Sequence, residues 1–254
     1  MRFLHHIRSA APLMTLLLVA SGCDDQASSP LEAQTDRLGH TAGLQEAEAW
    51  ETQMGPAPRV EFADLEIFLE FNSTDDDLGV QVFLDAEDWD RVRAKDPAGR
   101  RVLDFRAHDS FGDLGLTELR FESAEPSPGE VLAAIPAGEY SFTGRTVERG
   151  LLVGTAELSH DLPPAPDFTP DDGDVVDADN TVIEWRRIAG VQGYEVIVEN
   201  QESELTLSAL LGPDATRLTV PAEFMERDTE YKAEVLAIAE NGNKTITEHV
   251  FRTR

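Results

Sequence analysis

The sequence predicts an all-β protein with two consecutive antiparallel β-sandwich domains. Beyond the first 58 residues, short segments alternate apolar and polar residues with a period of two and recur at regular spacing. Turn signals rich in Gly, Pro and Asp separate these segments, and none has the pattern of a long helix. A proline-rich stretch at residues 162–166 divides the segments into two sets, each long enough for a domain of about 100 residues.

The first domain is expected over residues 59–162. Leu65, Ile67, Leu69 and Phe71 alternate with polar residues and predict a half-buried strand. Further strands are expected at residues 80–84, 102–105, 116–121, 140–147 and 151–158, with a tight turn at 96–99, a helical turn at 130–135 and a turn at 85–90 above a core Trp89. This stretch resembles a domain of uncharacterised bacterial secreted proteins, and the resemblance implies no activity.

The second domain is expected over residues 163–254. Apolar residues alternate around Trp185, around Tyr194, at Leu218 and after Tyr231. In this pattern the stretch resembles the fibronectin type III family, in which a tryptophan lies in strand B, a tyrosine begins strand C, a leucine lies in strand E and a tyrosine begins strand F. The resemblance implies that the hydroxyl of Tyr231 bonds back to the preceding loop, and that all four residues belong to the framework.

The first 22 residues predict an export signal. Basic residues are followed by an apolar run of about eleven residues, the length of a signal-peptide core, whereas a membrane-spanning helix needs roughly 18 or more. The segment Ala20-Ser21-Gly22-Cys23 resembles the bacterial lipobox, although Ala20 stands where that family usually has leucine. The resemblance implies cleavage before Cys23 and attachment of lipid, palmitate included, to that cysteine. The alternative is an ordinary signal peptide with a chance cysteine.

A lipid on Cys23 implies a place in the bacterial cell envelope, with the chain anchored to a membrane and facing the periplasm or the exterior. Residues 23–58 are rich in Ala, Gln, Ser, Asp and Glu and predict a flexible stalk. A short amphipathic helix is conceivable at residues 44–54, which include Trp50. Cys23 is the sole cysteine of the sequence, so the mature domains have no disulfide of their own.

The charge of the chain excludes nucleic acid as a partner. Loss of Arg2 and Arg8 with the leader takes the 21 basic side chains to 19 against 49 acidic ones, a formal charge of −30. Binding to phosphates needs a basic surface, and none is present in the sequence. The same charge repels an anionic membrane, so the lipid must hold the chain there.

The acidic loop after the first predicted strand is the sharpest candidate for a metal site. Asp75 and Asp77 alternate with other residues, so their carboxylates could converge on a calcium ion. The EF-hand signature is not met, and a solvated acidic turn is the alternative. A second acidic run, at residues 167–179, is conceivable as a site for an ion that bridges the two domains.

No catalytic residues and no other cofactor are predicted. His108, Asp109 and Ser110 have the residue types of a nucleophilic triad, but neighbours in sequence rarely point into one site. The sequence therefore favours a non-catalytic binding, adhesion or spacer module whose partner is an envelope protein or polysaccharide. The alternative is a carbohydrate-processing accessory protein or enzyme. Such a protein should show an exposed aromatic platform, with Trp89 as its candidate, or a carboxylate pair in a cleft, such as Glu118 and Glu122.

Overall fold

The computed structural model describes residues 57–254 and confirms the predicted all-β class. Strands dominate both halves of this region. The first half contains β1 (Arg59–Glu61), β2 (Asp64–Asn72), β3 (Asp77–Lys95), β4 (Arg101–Arg106), α1 (Asp109–Leu114), β5 (Leu116–Glu122), α2 (Pro128–Ala134), β6 (Gly138–Thr146) and β7 (Leu151–Leu158). We call it the first lobe.

The long strand β3 is the centre of the first lobe. Its first half pairs with β2 on one side and β5 on the other. Its second half pairs with β4 and β6, and the sheet continues from β6 to β7 and then, in parallel, to β1. Register shifts within residues 85–91 mark a β-bulge, which bends the strand so that it serves both sheets of the sandwich.

The prediction of a turn at residues 85–90 is wrong, because these residues lie inside β3. Two acidic residues in succession, Glu87 and Asp88, face solvent there and mimic a turn signal. A bulge permits this, since it interrupts the strict alternation of inward and outward side chains. Trp89 is fully buried, as expected for a core residue, and packs edge-to-face against Phe105. Helix α1 was not predicted.

The second half of the described chain forms the second lobe. Its elements are β8 (Phe168–Thr169), β9 (Val175–Val176), a 3₁₀-helix (Ala178–Asn180), β10 (Val182–Trp185), β11 (Val191–Asn200), β12 (Thr206–Leu211), β13 (Arg217–Thr219), β14 (Glu230–Ala239) and β15 (Lys244–Thr253). One sheet has the order β13-β10-β8, and the facing strands have the order β15-β14-β11-β12. This is the fibronectin type III-like sandwich that the sequence predicted.

The four framework residues lie where the resemblance placed them, and they pack into the core of the second lobe. Trp185 contacts Tyr194, with ring centroids 5.3 Å apart. The buried hydroxyl of Tyr231 accepts a hydrogen bond from the Glu226 backbone N–H (2.7 Å) and donates one to the Phe224 carbonyl (3.2 Å). These bonds fix the loop before β14 to the start of that strand, as the family resemblance implied for Tyr231.

The two lobes share a sheet. Strand β15 pairs in parallel with β2, so that Lys244, Thr245 and Ile246 lie opposite Glu70, Phe71 and Asn72. A 12-stranded sheet therefore crosses the boundary predicted at residues 162–163. Each lobe retains its own hydrophobic core, and independent folding of the lobes stays a prediction.

Two substitutions in the second lobe should differ in their effect on stability. Trp185→Ala removes a buried indole and should cost about 3 to 5 kcal/mol of unfolding free energy. Tyr231→Phe removes only the hydroxyl and its hydrogen bonds and should cost about 1 to 3 kcal/mol. Denaturant melts of the mature chain measure both values. Equal or negligible losses would contradict the assignment of these residues to the framework.

Candidate functional site

The signal peptide, the lipid attachment at Cys23 and the stalk up to residue 56, all predicted from the sequence, lie outside the described residues. The same holds for Trp50 and the helix expected around it. Within residues 57–254, no helix is long and apolar enough to cross a membrane. Attachment of lipid to Cys23 stays a prediction.

The acidic loop between β2 and β3 is organised by an asparagine. The side-chain oxygen of Asn72 accepts hydrogen bonds from the backbone N–H groups of Thr74 (2.9 Å) and Asp75 (3.3 Å), which is an Asx-type turn. The amide nitrogen of Asn72 donates to the Asp75 carboxylate at 3.3 Å. Asp75 is therefore held in the turn, while Asp77 begins strand β3.

Asp77 differs from its neighbours in having one carboxylate oxygen buried without a hydrogen-bond partner. Burial raises the pKa of its carboxyl, and the nearby charges of Asp75 and Asp76 raise it further. Among residues 57–254, no group of three or more His, Cys, Asp or Glu side chains is placed to hold a metal ion. Calcium at Asp75 and Asp77 stays a prediction.

A pair of glutamates, Glu122 and Glu125, lies next to this loop, whereas the sequence had suggested Glu122 only as a partner of Glu118. Partial burial raises the pKa of Glu125 to about 7, and the charges of Glu122 and Asp77 and a hydrogen bond with Glu122 add to the shift. Burial also raises the pKa of Glu122, with a further contribution from Glu70. The residues come from β5, the loop after it and neighbouring strands, so only the folded chain brings them together.

The joint between the lobes is built on Asn243, which is fully buried. Its side-chain oxygen accepts a hydrogen bond from the Leu69 backbone N–H (2.8 Å), and its amide nitrogen donates to the carbonyls of Ser159 (2.9 Å) and Asp161 (2.8 Å). One side chain thus satisfies three backbone groups of the first lobe and the chain that leaves it.

Lys244 reinforces the joint with charge. Its ammonium lies 3.5 Å from a Glu70 carboxylate oxygen in the first lobe and 3.4 Å from a Glu195 oxygen in the second. It also lies 5.3 Å from the ring centroid of Phe68. All three contacts are shielded from solvent, since the lysine side chain is only 14% exposed.

The first lobe contains an apolar cavity of about 420 Å³. It lies between the two sheets, where β4 and β5 each pair with β3 but form no ladder with each other within the described chain. Helix α2 and the loop before it cover this opening. The lining is Ile67, Val80, Val82, Ala94, Val102, Leu103, Phe121, Ser123, Ala124, Pro126, Glu130, Val131, Ala134, Ile135, Tyr140 and Phe142.

The polar side chains of this lining already have partners in the protein. The Ser123 hydroxyl accepts from the Val80 backbone N–H (2.9 Å) and donates to the Ala124 carbonyl (2.8 Å). The Tyr140 hydroxyl donates to the Pro136 carbonyl at 2.9 Å. Glu130 accepts from the hydroxyl of Ser127 at 2.6 Å in the capping box of α2. The cavity therefore presents carbon rather than free hydrogen-bonding groups.

The residues considered for catalysis or sugar binding are placed differently. His108, Asp109 and Ser110 are exposed at the start of α1. Trp89 and Trp185 are buried and form no exposed platform. The most exposed large aromatic side chain in the described region is Phe111, at 67%.

Comparison with known proteins finds likeness only among solved structures. No protein-family model and no curated protein matches the chain. A two-domain fibronectin type III segment of chicken tenascin aligns at 11% identity with a TM-score of 0.30, covering 75% of this chain and 98% of that one.

Two further structures align at similar scores. The FN1–FN3 domains of chicken CNTN1 have 12% identity, a TM-score of 0.29 and coverage of 78% and 67%. An Fn3-like protein from Clostridium thermocellum has 19% identity, a TM-score of 0.27 and coverage of 36% and 96%. The assignment of the second lobe rests on its own strand order.

Glu125→Gln should change how stability depends on pH. Because folding raises the pKa of Glu125 from 4.5 to about 7, its contribution is fully present below pH 4.5 and is lost as the pH rises to about 7. The glutamine variant keeps this contribution and should gain about 1 kcal/mol over the parent at pH 8. That value is discounted because the carboxyl is largely solvent-exposed and screened.

Denaturant melts from pH 5 to pH 8 measure the difference between the two proteins. Glu148→Gln, in the exposed turn between β6 and β7, is the matched control and should leave the pH dependence of the parent unchanged. A difference between parent and Glu125→Gln that is constant across this range would contradict the prediction.

Proposed function

We propose that the chain is a lipid-anchored protein of the bacterial cell envelope that acts as a non-catalytic binding, adhesion or spacer module. The observation that carries the proposal is the parallel pairing of β15 with β2, which continues one sheet through both lobes. Such pairing holds the two lobes in a fixed relation to each other, which suits a module that presents a binding surface at a set distance beyond its predicted flexible stalk.

The contacts around this pairing oppose bending between the lobes. Backbone hydrogen bonds of the ladder are joined by the buried Asn243 and by the Lys244 ion pairs. The buried hydroxyl of Thr245 donates to the Pro163 carbonyl at 2.7 Å, which fixes the proline-rich connection to β15. Hinge motion would have to break several of these bonds at once, and each buried group left unpaired costs about 1 to 3 kcal/mol.

The anchor follows from the charge and from the motif at Cys23. A surface with an excess of carboxylates is repelled by anionic lipids, so protein–membrane attraction has to come from acyl chains. One acyl chain binds only marginally, whereas two or more hold stably, which agrees with a multiply acylated cysteine. The partner at the far end is an envelope protein or polysaccharide, and nucleic acid is excluded by the same charge.

Cys23→Ser should release the chain from the membrane or leave it unprocessed, because the acidic surface of the protein does not itself bind anionic lipid. Cells are labelled with a radioactive fatty acid and fractionated, and the label and location of the protein are followed. Replacement of Ser21 by Ala, a small residue two positions before the cysteine, is the control and should keep both. Label or membrane retention in Cys23→Ser would refute the anchor.

Asn243→Ala should loosen the joint. Spin labels on cysteines placed at the exposed positions Glu148 and Glu223, one in each lobe, report the distance between lobes in the Cys23→Ser background. The parent should give one narrow distance distribution, and the variant a broader one, since three backbone groups lose their partner.

Asn180→Ala is the matched control for this measurement. Asn180 is exposed in the second lobe, and its backbone N–H donates to the Asp177 carbonyl, a bond that alanine retains. A broad distribution in the parent would contradict the rigid module.

A further inference from the structure

We propose that the cavity of the first lobe is a binding site for a single alkyl or acyl chain whose head group carries no net charge. The inference goes beyond the anchored spacer, because the ligand enters the folded lobe and is not the lipid on Cys23. It rests on the size, lining and opening of the cavity.

The size fits a small ligand rather than a trapped solvent molecule. At about 420 Å³ the cavity is within the range of about 300 to 1,000 Å³ that ligand sites occupy. An apolar cavity of about 150 Å³ already accepts benzene, so this one has room for an apolar molecule nearly three times as large. A flexible acyl chain of medium length matches both the volume and the chemistry.

The lining selects carbon. Most of its side chains are aliphatic or aromatic, and Val82 and Ala94 on β3 and Phe142 on the neighbouring β6 are almost fully buried. The hydroxyl groups of Ser123 and Tyr140 donate their hydrogen bonds to backbone carbonyls of the protein and so are not available to a ligand. A ligand with polar groups along its length would lose its hydrogen bonds to water without replacement, whereas a methylene chain loses none.

The head group is set by the charges of the lining. Glu130 is its one acidic side chain, and no lysine, arginine or histidine belongs to it. A carboxylate head would approach Glu130 with no cation to pair with, in a chain whose formal charge is already −28. An alcohol, ester or zwitterionic head avoids that repulsion.

Entry is available at the gap between β4 and β5. Val102, on the edge strand β4, lines the cavity and is nevertheless 49% exposed, so it lies at the mouth. Helix α2 covers the gap with Val131 as its one buried residue, and its C-terminal end is held by the hydrogen bond between His160 and the Ile135 carbonyl (2.8 Å). Leu132 and Ile135 pack only partly buried against the core, so a helix of seven residues can shift to admit a ligand without exposing a large apolar surface.

The test uses the mature chain with Cys23→Ser, which removes its own acyl groups, after delipidation. Binding of the neutral fluorophore N-phenylnaphthylamine is measured first, and dodecanol, dodecanoate and dodecanoyl lysophosphatidylcholine are then compared as competitors. Saturable binding of one probe per chain is expected, with displacement by dodecanol and a negative heat-capacity change.

The three competitors distinguish the possible sources of the hydrocarbon ligand. Displacement by dodecanol and by the zwitterionic lysolipid, with dodecanoate at least about tenfold weaker, supports an alkyl or acyl chain whose head group has no net charge. If the lysolipid binds more tightly than dodecanol, the bound hydrocarbon belongs to a membrane phospholipid. If dodecanol binds more tightly, the ligand is a free neutral lipid. Equal binding of dodecanoate would overturn the head-group assignment, and absence of saturable binding would overturn the site.

Two variants connect the binding to the cavity. Ala94→Leu extends a buried lining side chain into the void, and Val102→Asp places a charge at the mouth on a half-exposed strand. Each variant should lower the affinity for dodecanol by about tenfold or more. Ala94→Leu should also raise the melting temperature, because its larger side chain fills part of the cavity.

Ala98→Leu, in the exposed turn between β3 and β4, is the matched control and should bind as the parent does. If Ala94→Leu does not fold, Val102→Asp decides the question by itself. Unchanged dodecanol affinity in a folded lining variant would overturn the proposal.

Discussion

The hydrogen bonding of β3 to four other strands is the constraint on which the first lobe depends. A strand has only two edges, so β3 can serve β2 and β5 with its first half and β4 and β6 with its second. The bulge between the halves turns the sheet, and β4 and β5 are left as neighbours that do not pair. The cavity lies at that gap, so the opening is a consequence of the topology and not of one poorly packed side chain.

The joint between the lobes depends on a different kind of interaction. Parallel pairing over three residues is short, and an isolated ladder of that length would be weak. Asn243 makes it specific, because an apolar residue at this position would leave a backbone donor and two carbonyls unsatisfied. Lys244 places one of the few cations of an acidic chain between Glu70 and Glu195, where the two lobes would otherwise repel.

The sequence was sufficient wherever local patterns decide the structure. Alternation predicted β2, the first half of β3 and β4 to β7, and the resemblance to fibronectin type III domains around Trp185 and Tyr231 predicted the second lobe. No residues were assigned to β12 or β15. The sequence was insufficient where distant segments meet. The acidic residues around Trp89 imitate a turn, Asn243 gives no local signal of its partners, and a cavity is defined by atoms that are absent, which no sequence pattern records. Cys23 could be singled out since its motif is read along the chain.

The cavity also has an energetic consequence. The apolar lining faces an opening rather than packed side chains, and apolar surface left unburied forgoes about 25 cal/mol per Å². Collapse would relieve this cost, but β4 and β5 are each hydrogen-bonded to a different half of β3, which limits how closely they can approach each other. A ligand that supplies apolar contacts to the lining therefore stabilises the lobe without any change in its backbone, since binding to the folded form alone shifts the folding equilibrium towards it.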